Sequence, residues 1–401
     1  MATTLESAAT TVDAAKVAAL RAQLPATART AYFNAGTNGP LPRVAQDALV
    51  AAASKELEVG RIVPGVYEGG WERNARVKGV LAGMVGADAD ELALTHSTNE
   101  GLNAVLMGID WQRGDEVVTT QLEHPGLFAP LMLLAHRFGV IVRMADIGDG
   151  GGDVPGALEA HVGPRTRAVA LSHVMWSTGA VVPLAEVGAM ARRRGVLSVV
   201  DGAQGTGQVA LDLHASGIDA YAMPGQKWLC GPEATGALFL RRDRLADVKP
   251  TYLRYATYDV SGFLTPWAGA QRYEIGEFYG PAVLALEASL LWQRDEVGLD
   301  WAYARVAALG QRCRAGLAAL GGVTVASPAD RMAGLVCFQV AGMAPPDVTA
   351  RLYEQGMTIR YVVYPPGPSV ARVSCGWWNT EDEIDALVAA IGELAHAAST
   401  A

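Results

Sequence analysis

The chain is expected to fold as an α/β protein. A large domain would be built on a mostly parallel sheet flanked by helices, with a smaller α+β domain toward the C-terminus. Three observations predict this. Short apolar runs alternate with helix-length amphipathic stretches from about residue 90 to 200, the pattern of repeated strand–helix units. From about residue 280 the texture changes to long amphipathic stretches over 281–292 and 301–320, followed by strand-like runs. The length of 401 residues, 50% hydrophobic and 18% charged, is enough to bury two cores. The boundaries read from this are an N-terminal segment over 1–30, partly helical or flexible, a large domain over 31–270 and a small domain over 271–401.

The elements follow in order. Residues 12–24 have helix-compatible composition and stop at Pro25. The run from Tyr32 to Pro40 contains Asn34, Gly36 and Gly39 and reads as an extended piece entering a Gly/Pro turn. Helical periodicity covers 43–59 and 70–85, and a strand covers 91–95. A helix is expected over 99–107, and Ser97-Thr98-Asn99-Glu100 fits a capping box before the helical run that begins at Gly101. Such a cap leaves backbone N–H groups and the positive dipole end free at the sheet edge, which suits an anion, though a plain helix cap reads the same way. A strand over 116–120, a helix over 126–136, strands over 140–144 and 168–172, and a helix over 184–194 continue the alternation. The run over 197–200 is a buried parallel strand delivering Asp201 to its C-terminal edge, where open α/β sheets bind ligands. In the small domain, strands are expected over 335–340 and 370–375 and a last helix over 381–396.

Composition excludes several function classes. The net charge of −9 with no basic stripe argues against nucleic acid or an anionic membrane as partner. Four scattered cysteines, without a CxxC pair, fit a reducing compartment. The first 31 residues lack a basic and an apolar signal region, and no apolar run reaches membrane-spanning length. A cytoplasmic protein is therefore expected. The seven histidines form no HExxH, so no metal is expected. Gly367-Pro368-Ser369-Val370-Ala371 approaches a nucleophile elbow but follows Tyr-Pro-Pro instead of a strand, which disfavours a hydrolase.

The chemistry centres on Lys227, in Pro224-Gly225-Gln226-Lys227-Trp228, which lies 26 residues after Asp201. Most lysines are solvated surface charges, but this one sits among Gly, Trp and Leu and is poorly suited to an exposed helix face. Burial would lower its pKa and free the amine to attack an aldehyde. A buried carboxylate with a lysine able to form a Schiff base is what pyridoxal 5'-phosphate (PLP) requires of a protein. Asp201 would keep the ring nitrogen protonated, and Gln204 could donate to the ring phenolate; a turn aspartate is the alternative. His124, between a strand and a helix, could stack on a planar ring or be a polar loop residue. Arg372, inside the apolar run Ala371-Arg372-Val373, could hold a carboxylate or form a structural salt bridge.

These pieces, with Ser172-His173-Val174-Met175-Trp176, Arg272-Tyr273-Glu274 and Arg372-Val373-Ser374, give the chain a resemblance to class V aminotransferase-like PLP enzymes of fold type I. That group contains cysteine desulfurases, cystine C–S lyases, isopenicillin N epimerase and kynureninase. The resemblance runs from Tyr32 to about Leu394. It implies that Lys227 is the cofactor-bearing lysine, Asp201 the ring-nitrogen partner, Gln204 the phenolate partner and His124 the ring-stacking residue. Thr98, Asn99 and Gln226 fall at the phosphate, Arg372 at the substrate carboxylate, and Arg360, Asn34 and Trp176 at the substrate pocket. A homodimer and a small amino-acid substrate are implied by analogy.

Departures from the family pattern refine the expectation. Pro224 offers no hydroxyl to the phosphate, Glu277 stands where the family has a threonine, and Trp176 replaces an asparagine as in the lyase and epimerase branches. The loop over 361–371 carries no cysteine, whereas desulfurases carry there a cysteine that takes up sulfur. Cys375, just past Arg372, is expected as a buried structural thiol. The resemblance therefore implies a C–S lyase acting by β-elimination on a cysteine-type amino acid. An aminotransferase or epimerase is the alternative, and a desulfurase is disfavoured. Tyr255, Tyr258, Trp267, Trp377 and Trp378 hint at a pocket roomier than cysteine needs.

Overall fold

A seven-stranded sheet positions everything else. The computed structural model describes residues 14–254, 257–258, 265–363 and 369–400. Tyr255, the Pro-rich part of the 361–371 loop over 364–368 and the first two residues of the 12–24 helical stretch lie outside the described residues. In chain order the elements are β1 (Ala31–Tyr32), α1 (Arg43–Val59), α2 (Gly69–Val85), β2 (Leu92–Thr95), α3 (Thr98–Gly108), β3 (Glu116–Thr120), α4 (Pro125–Phe138), β4 (Ile141–Ala145), α5 (Val154–Glu159), β5 (Thr166–Ser172), α6 (Leu184–Arg194), β6 (Leu197–Asp201), α7 (Leu213–Ser216), β7 (Ala220–Pro224) and β8 (Gly236–Leu240). Then follow α8 (Gly280–Trp292), α9 (Leu299–Ala318), β9 (Val323–Val325), β10 (Leu335–Val340), α10 (Pro345–Glu354), β11 (Met357–Thr358), β12 (Arg360–Val362), β13 (Val370–Ser374) and α11 (Glu381–Thr400).

The large sheet has the order β2-β8-β7-β6-β5-β3-β4. It is parallel from β7 to β4, while β8 runs antiparallel to both β7 and β2. Strands β2, β3, β6, β7 and β8 are buried along their whole length. Burial on both faces explains their near-continuous apolar composition, and apolar clusters pack on each face. Sequence periodicity did not reveal β7 and β8. Their runs Ala220-Tyr-Ala-Met-Pro and Gly236-Ala-Leu-Phe-Leu lack the alternation of a half-buried strand.

The small sheet is antiparallel, in the order β12-β13-β10-β9, and encloses its own core with α9 and α11. Two contacts stitch the chain's beginning to its end. Strand β1 pairs in parallel with β11. Residues 14–21 are helical, and Arg21 donates to the Trp378 carbonyl at 2.6 Å and to Glu383 at 2.7 Å. Among the described residues no helix is long and apolar enough to cross a membrane.

The helix expected over 99–107 runs from Thr98 to Gly108; Ser97 is its cap, and its hydroxyl accepts from the Glu100 N–H at 3.2 Å. Glu100 does not reach back to the Ser97 N–H. Its Oε2 accepts from the His96 N–H at 3.0 Å, one residue earlier.

Candidate active site

Asp201 is the last residue of β6, so the strand itself carries the carboxylate to the C-terminal edge of the sheet. The chain then turns through Gly202 and Ala203, whose N–H donates to Asp201 Oδ1 at 2.8 Å. Lys227 follows the end of β7, the neighbouring strand, and its amine is thereby brought to the same edge. Thr98 and Asn99 open α3 after β2, and His124 caps α4 after β3. Arg360 and Arg372 come from adjacent strands of the small sheet. Together these groups line a cleft of about 550 Å³ with Gly36, Thr37, Trp176, Gln204, Gln226 and Tyr361.

The electrostatics of the cleft follow from burial. Burial lowers the Lys227 ammonium to about 8, against the pull of the Asp201 carboxylate, and Arg372 adds to the lowering. Burial raises the Asp201 pKa, opposed first by Lys227 and then by the Ala203 N–H. His124 is driven down to about 3, by burial first and then by Lys227 and Arg372. Its ring is therefore neutral, and Nδ1 accepts from the Gly126 N–H at 2.9 Å, which leaves the proton on Nε2. Its ring meets Trp176 edge-on, with centroids 4.5 Å apart.

Arg372 is 3% exposed, and burial pushes its pKa down to about 10. Nη1 donates to the Trp176 carbonyl at 3.3 Å and Nη2 to Thr37 Oγ1 at 3.5 Å, both neutral acceptors, while Nε is buried with no partner among the described residues. A buried cation satisfied among the described residues by long bonds to neutral groups suits an incoming anion. Gly36 makes this arrangement possible. A Cβ there would lie 2.9 Å from both Arg372 Nη2 and Ser374 Oγ.

The residues present fit PLP. Lys227 offers an amine whose pKa burial brings down to about 8, and Asp201 is a buried acid beside it. The N-terminus of α3 offers backbone N–H groups for a phosphate. Gln226 has a buried amide oxygen with no partner among the described residues; rotation of that amide presents its NH2 to an acceptor in the cleft. Gln204 is held firmly. Its Nε2 donates to the Gly36 carbonyl at 2.8 Å and its Oε1 accepts from Trp228 Nε1 at 3.0 Å, which leaves the second Nε2 proton for a ligand.

Some expected residues stand elsewhere. Asn34 does not line the cleft; its Oδ1 accepts from Thr37 Oγ1 at 2.9 Å, so it orients the hydroxyl that meets Arg372. Trp377 and Trp378 are buried in an aromatic core, and Trp267 packs against Trp71, so none of the three widens the cleft; Tyr258 does not line it either. Of the family markers, Glu274 is structural, pairing with buried Lys78 at 3.1 Å and accepting from the Leu94 N–H at 3.2 Å. All four cysteines are buried and none lines the cleft. Sequence reasoning missed Thr37 and Tyr361 as lining residues. It also missed Glu123, a buried acid raised to about 7 chiefly by burial, which accepts from Ser172 N–H and Oγ and from Thr120 Oγ1. The acid next to His124 at a strand end was the available signal.

Comparison with known proteins places this geometry. The chain is 32% identical to the cystine C–S lyase C-DES, solved in complex with its product cysteine persulfide. The TM-score is 0.87, over 92% of this chain and 99% of that one. A C-DES mutant with glycine covalently linked to its PLP cofactor superposes with a TM-score of 0.88, at 32% identity over 93% and 99% of the two chains. Isopenicillin N epimerase of Streptomyces clavuligerus is 30% identical, covering 90% of this chain and 94% of its own length. A probable cysteine desulfurase of Methanothermobacter thermautotrophicus is 30% identical, over 79% and 82%. The family model described as aminotransferase class-V matches residues 44–387. The chain belongs to the class-V aminotransferase family and is an enzyme of its PLP-dependent, fold type I group.

Proposed function

We propose that the protein is a PLP-dependent lyase that cleaves the Cβ–S bond of a cysteine-type amino acid by β-elimination, releasing a thiol or persulfide, pyruvate and ammonia. The observation that carries this reading is a cleft holding Lys227, Asp201 and Arg372 but no thiol. A desulfurase needs a protein sulfhydryl to receive sulfur, whereas β-elimination needs only a base and a departing sulfur. The likeness to C-DES supports the same choice.

Lys227, Asp201, Gln204, His124, Thr98, Asn99 and Gln226 are proposed to hold the cofactor, with Arg372, Arg360 and Trp176 facing the substrate. When bound, PLP supplies an electron sink conjugated to the substrate nitrogen. The rest of the work falls to the protein. Arg372 binds the α-carboxylate and so fixes which Cα bond faces Lys227. Lys227 Nζ, its basicity reduced by burial, takes the Cα proton near neutral pH. The Cβ–S pair then leaves on sulfur. Asp201, a buried carboxyl lining the cleft, would pair with and stabilise a positively charged ligand nitrogen. His124, neutral and pinned by Gly126 and Trp176, lines the cleft where its ring can stack on a planar group.

We also propose a homodimer in the cytoplasm, with units over 31–270 and 271–401. Incubation of the holoenzyme with cystine and S-substituted cysteines should yield pyruvate; no pyruvate from any of them defeats the lyase reading. Epimerisation is the second reading, favoured by the near full-length likeness to isopenicillin N epimerase. It would appear as Cα hydrogen exchange without elimination.

A further inference from the structure

We propose that Glu123 is a positioning residue: its carboxyl ties the ends of β3 and β5 together and so fixes the ring of His124 in the cleft for contact with the cofactor. The inference rests on PLP as cofactor and on His124 lining the cleft. It is independent of which reaction the enzyme performs.

Glu123 lies in the turn between β3 and α4, directly before His124, which caps α4. Its side chain folds inward and is 4% exposed. Oε1 accepts from Thr120 Oγ1 at 2.6 Å. Oε2 accepts from the Ser172 N–H at 2.8 Å and from Ser172 Oγ at 2.6 Å. Thr120 is the last residue of β3 and Ser172 the last of β5, the neighbouring strand. The carboxyl therefore bridges two strand ends at the cleft edge of the sheet. Ser172 is in turn the Cα partner of Asp201, so the His124 turn is held in register with the strand that carries Asp201.

All three donors to Glu123 are neutral. Burial raises its pKa to about 7, so near neutral pH much of the group is protonated, and charge is not what the turn requires. An apolar side chain would fill the same space without desolvating an acid. What it would lack is a hydrogen-bonded hold on two strands at once. His124 is restrained from the helix side as well. Nδ1 accepts from the Gly126 N–H, and Asn99 Nδ2 donates to the Gly126 carbonyl at 2.8 Å. Glu123 supplies the restraint from the sheet side. A group that must meet a ligand needs placement within about 0.5 Å, which one side of a turn does not provide.

The test is a double-mutant cycle on the full chain, read by PLP affinity and by the visible circular dichroism of the bound cofactor. Glu123→Ala should weaken PLP binding about tenfold and diminish the dichroic band. Glu123→Gln should restore both, because its amide oxygen accepts from Ser172 and its NH2 donates to Thr120 Oγ1. His124→Ala should also weaken PLP binding, and adding Glu123→Ala to it should cause no further loss. Should Glu123→Ala fail to fold, Thr120→Val with Ser172→Ala removes two of the three donors and takes its place in the cycle. Equal losses with and without His124 would show a general structural role and overturn the proposal. So would native affinity and dichroism in Glu123→Ala, a Glu123→Gln protein as impaired as Glu123→Ala, or native PLP affinity in His124→Ala. None of these readouts requires pyruvate, so failure of the pyruvate assay removes the lyase reading alone.

Discussion

At the scale of single residues, an amine and a carboxyl share a buried edge and each alters the other. The Lys227 ammonium has a folded pKa of about 8 against an ordinary 10.5. Between those values the unfolded chain holds a proton that the folded chain has released. Stability of the cofactor-free protein therefore rises with pH from about 8 to 10.5, and below 8 the buried ammonium burdens the fold. Lys227→Met should raise the urea midpoint of the cofactor-free protein at pH 7 and abolish its upward slope above pH 8. A native protein whose midpoint is flat over that window would contradict the burial argument. The same amine makes the covalent link: borohydride reduction of the holoenzyme should label the peptide containing residue 227. Lys227→Ala should lower the rate by about 10²–10⁴-fold and leave that peptide unlabelled.

At the scale of elements, the site depends on close approach between the β1–α1 segment and β13. The Gly36 N–H donates to Ser374 Oγ at 3.2 Å, and the Gly36 carbonyl accepts from Gln204. Gly36→Ala would press a methyl group against the Arg372 guanidinium. It should lower kcat/KM for the amino acid by about ten- to a hundredfold, mostly through KM, while cofactor affinity stays near native; calorimetry with PLP separates the two. A second linkage joins α2 to the segment before α8 through Lys78, 8% exposed, and Glu274, 2% exposed. Glu274→Ala strands a buried ammonium and should cost about 3–5 kcal/mol in chemical unfolding. The double change Lys78→Met with Glu274→Leu should recover most of that loss, because it removes both desolvated charges together. If the single change proves neutral, the pair does not hold the two elements together.

At the scale of the whole molecule, the proposed dimer has a surface to use. Leu57, Ile62 and Tyr279 are 87%, 80% and 56% exposed, apolar side chains that a partner subunit would cover. Sedimentation equilibrium at micromolar concentration should report twice the monomer mass; a single monomeric species would remove the dimer.

Much of this was legible in sequence because the physics was local. The alternation from residue 91 to 201 reports which segments cross a core, and the expected helix over 184–194 coincides with α6, while the strand over 335–340 coincides with β10. Asp201 at a strand end and Lys227 among apolar neighbours carry their chemistry in their immediate context. The antiparallel insertion of β8, the retreat of Asn34 behind Thr37 and the seclusion of Trp377 and Trp378 were not legible. Each depends on which distant segment packs alongside, and a chain pattern with period 2 or 3.6 records only that a residue is buried, not beside what. The sequence alone determined the fold class and, by resemblance, the family; the cofactor chemistry was legible because a strand-end acid and a buried lysine are local requirements. Only the tertiary structure decided that Arg360 and Arg372 stand opposite one another, because a cross-strand register is set by the pairing of two segments and by neither alone.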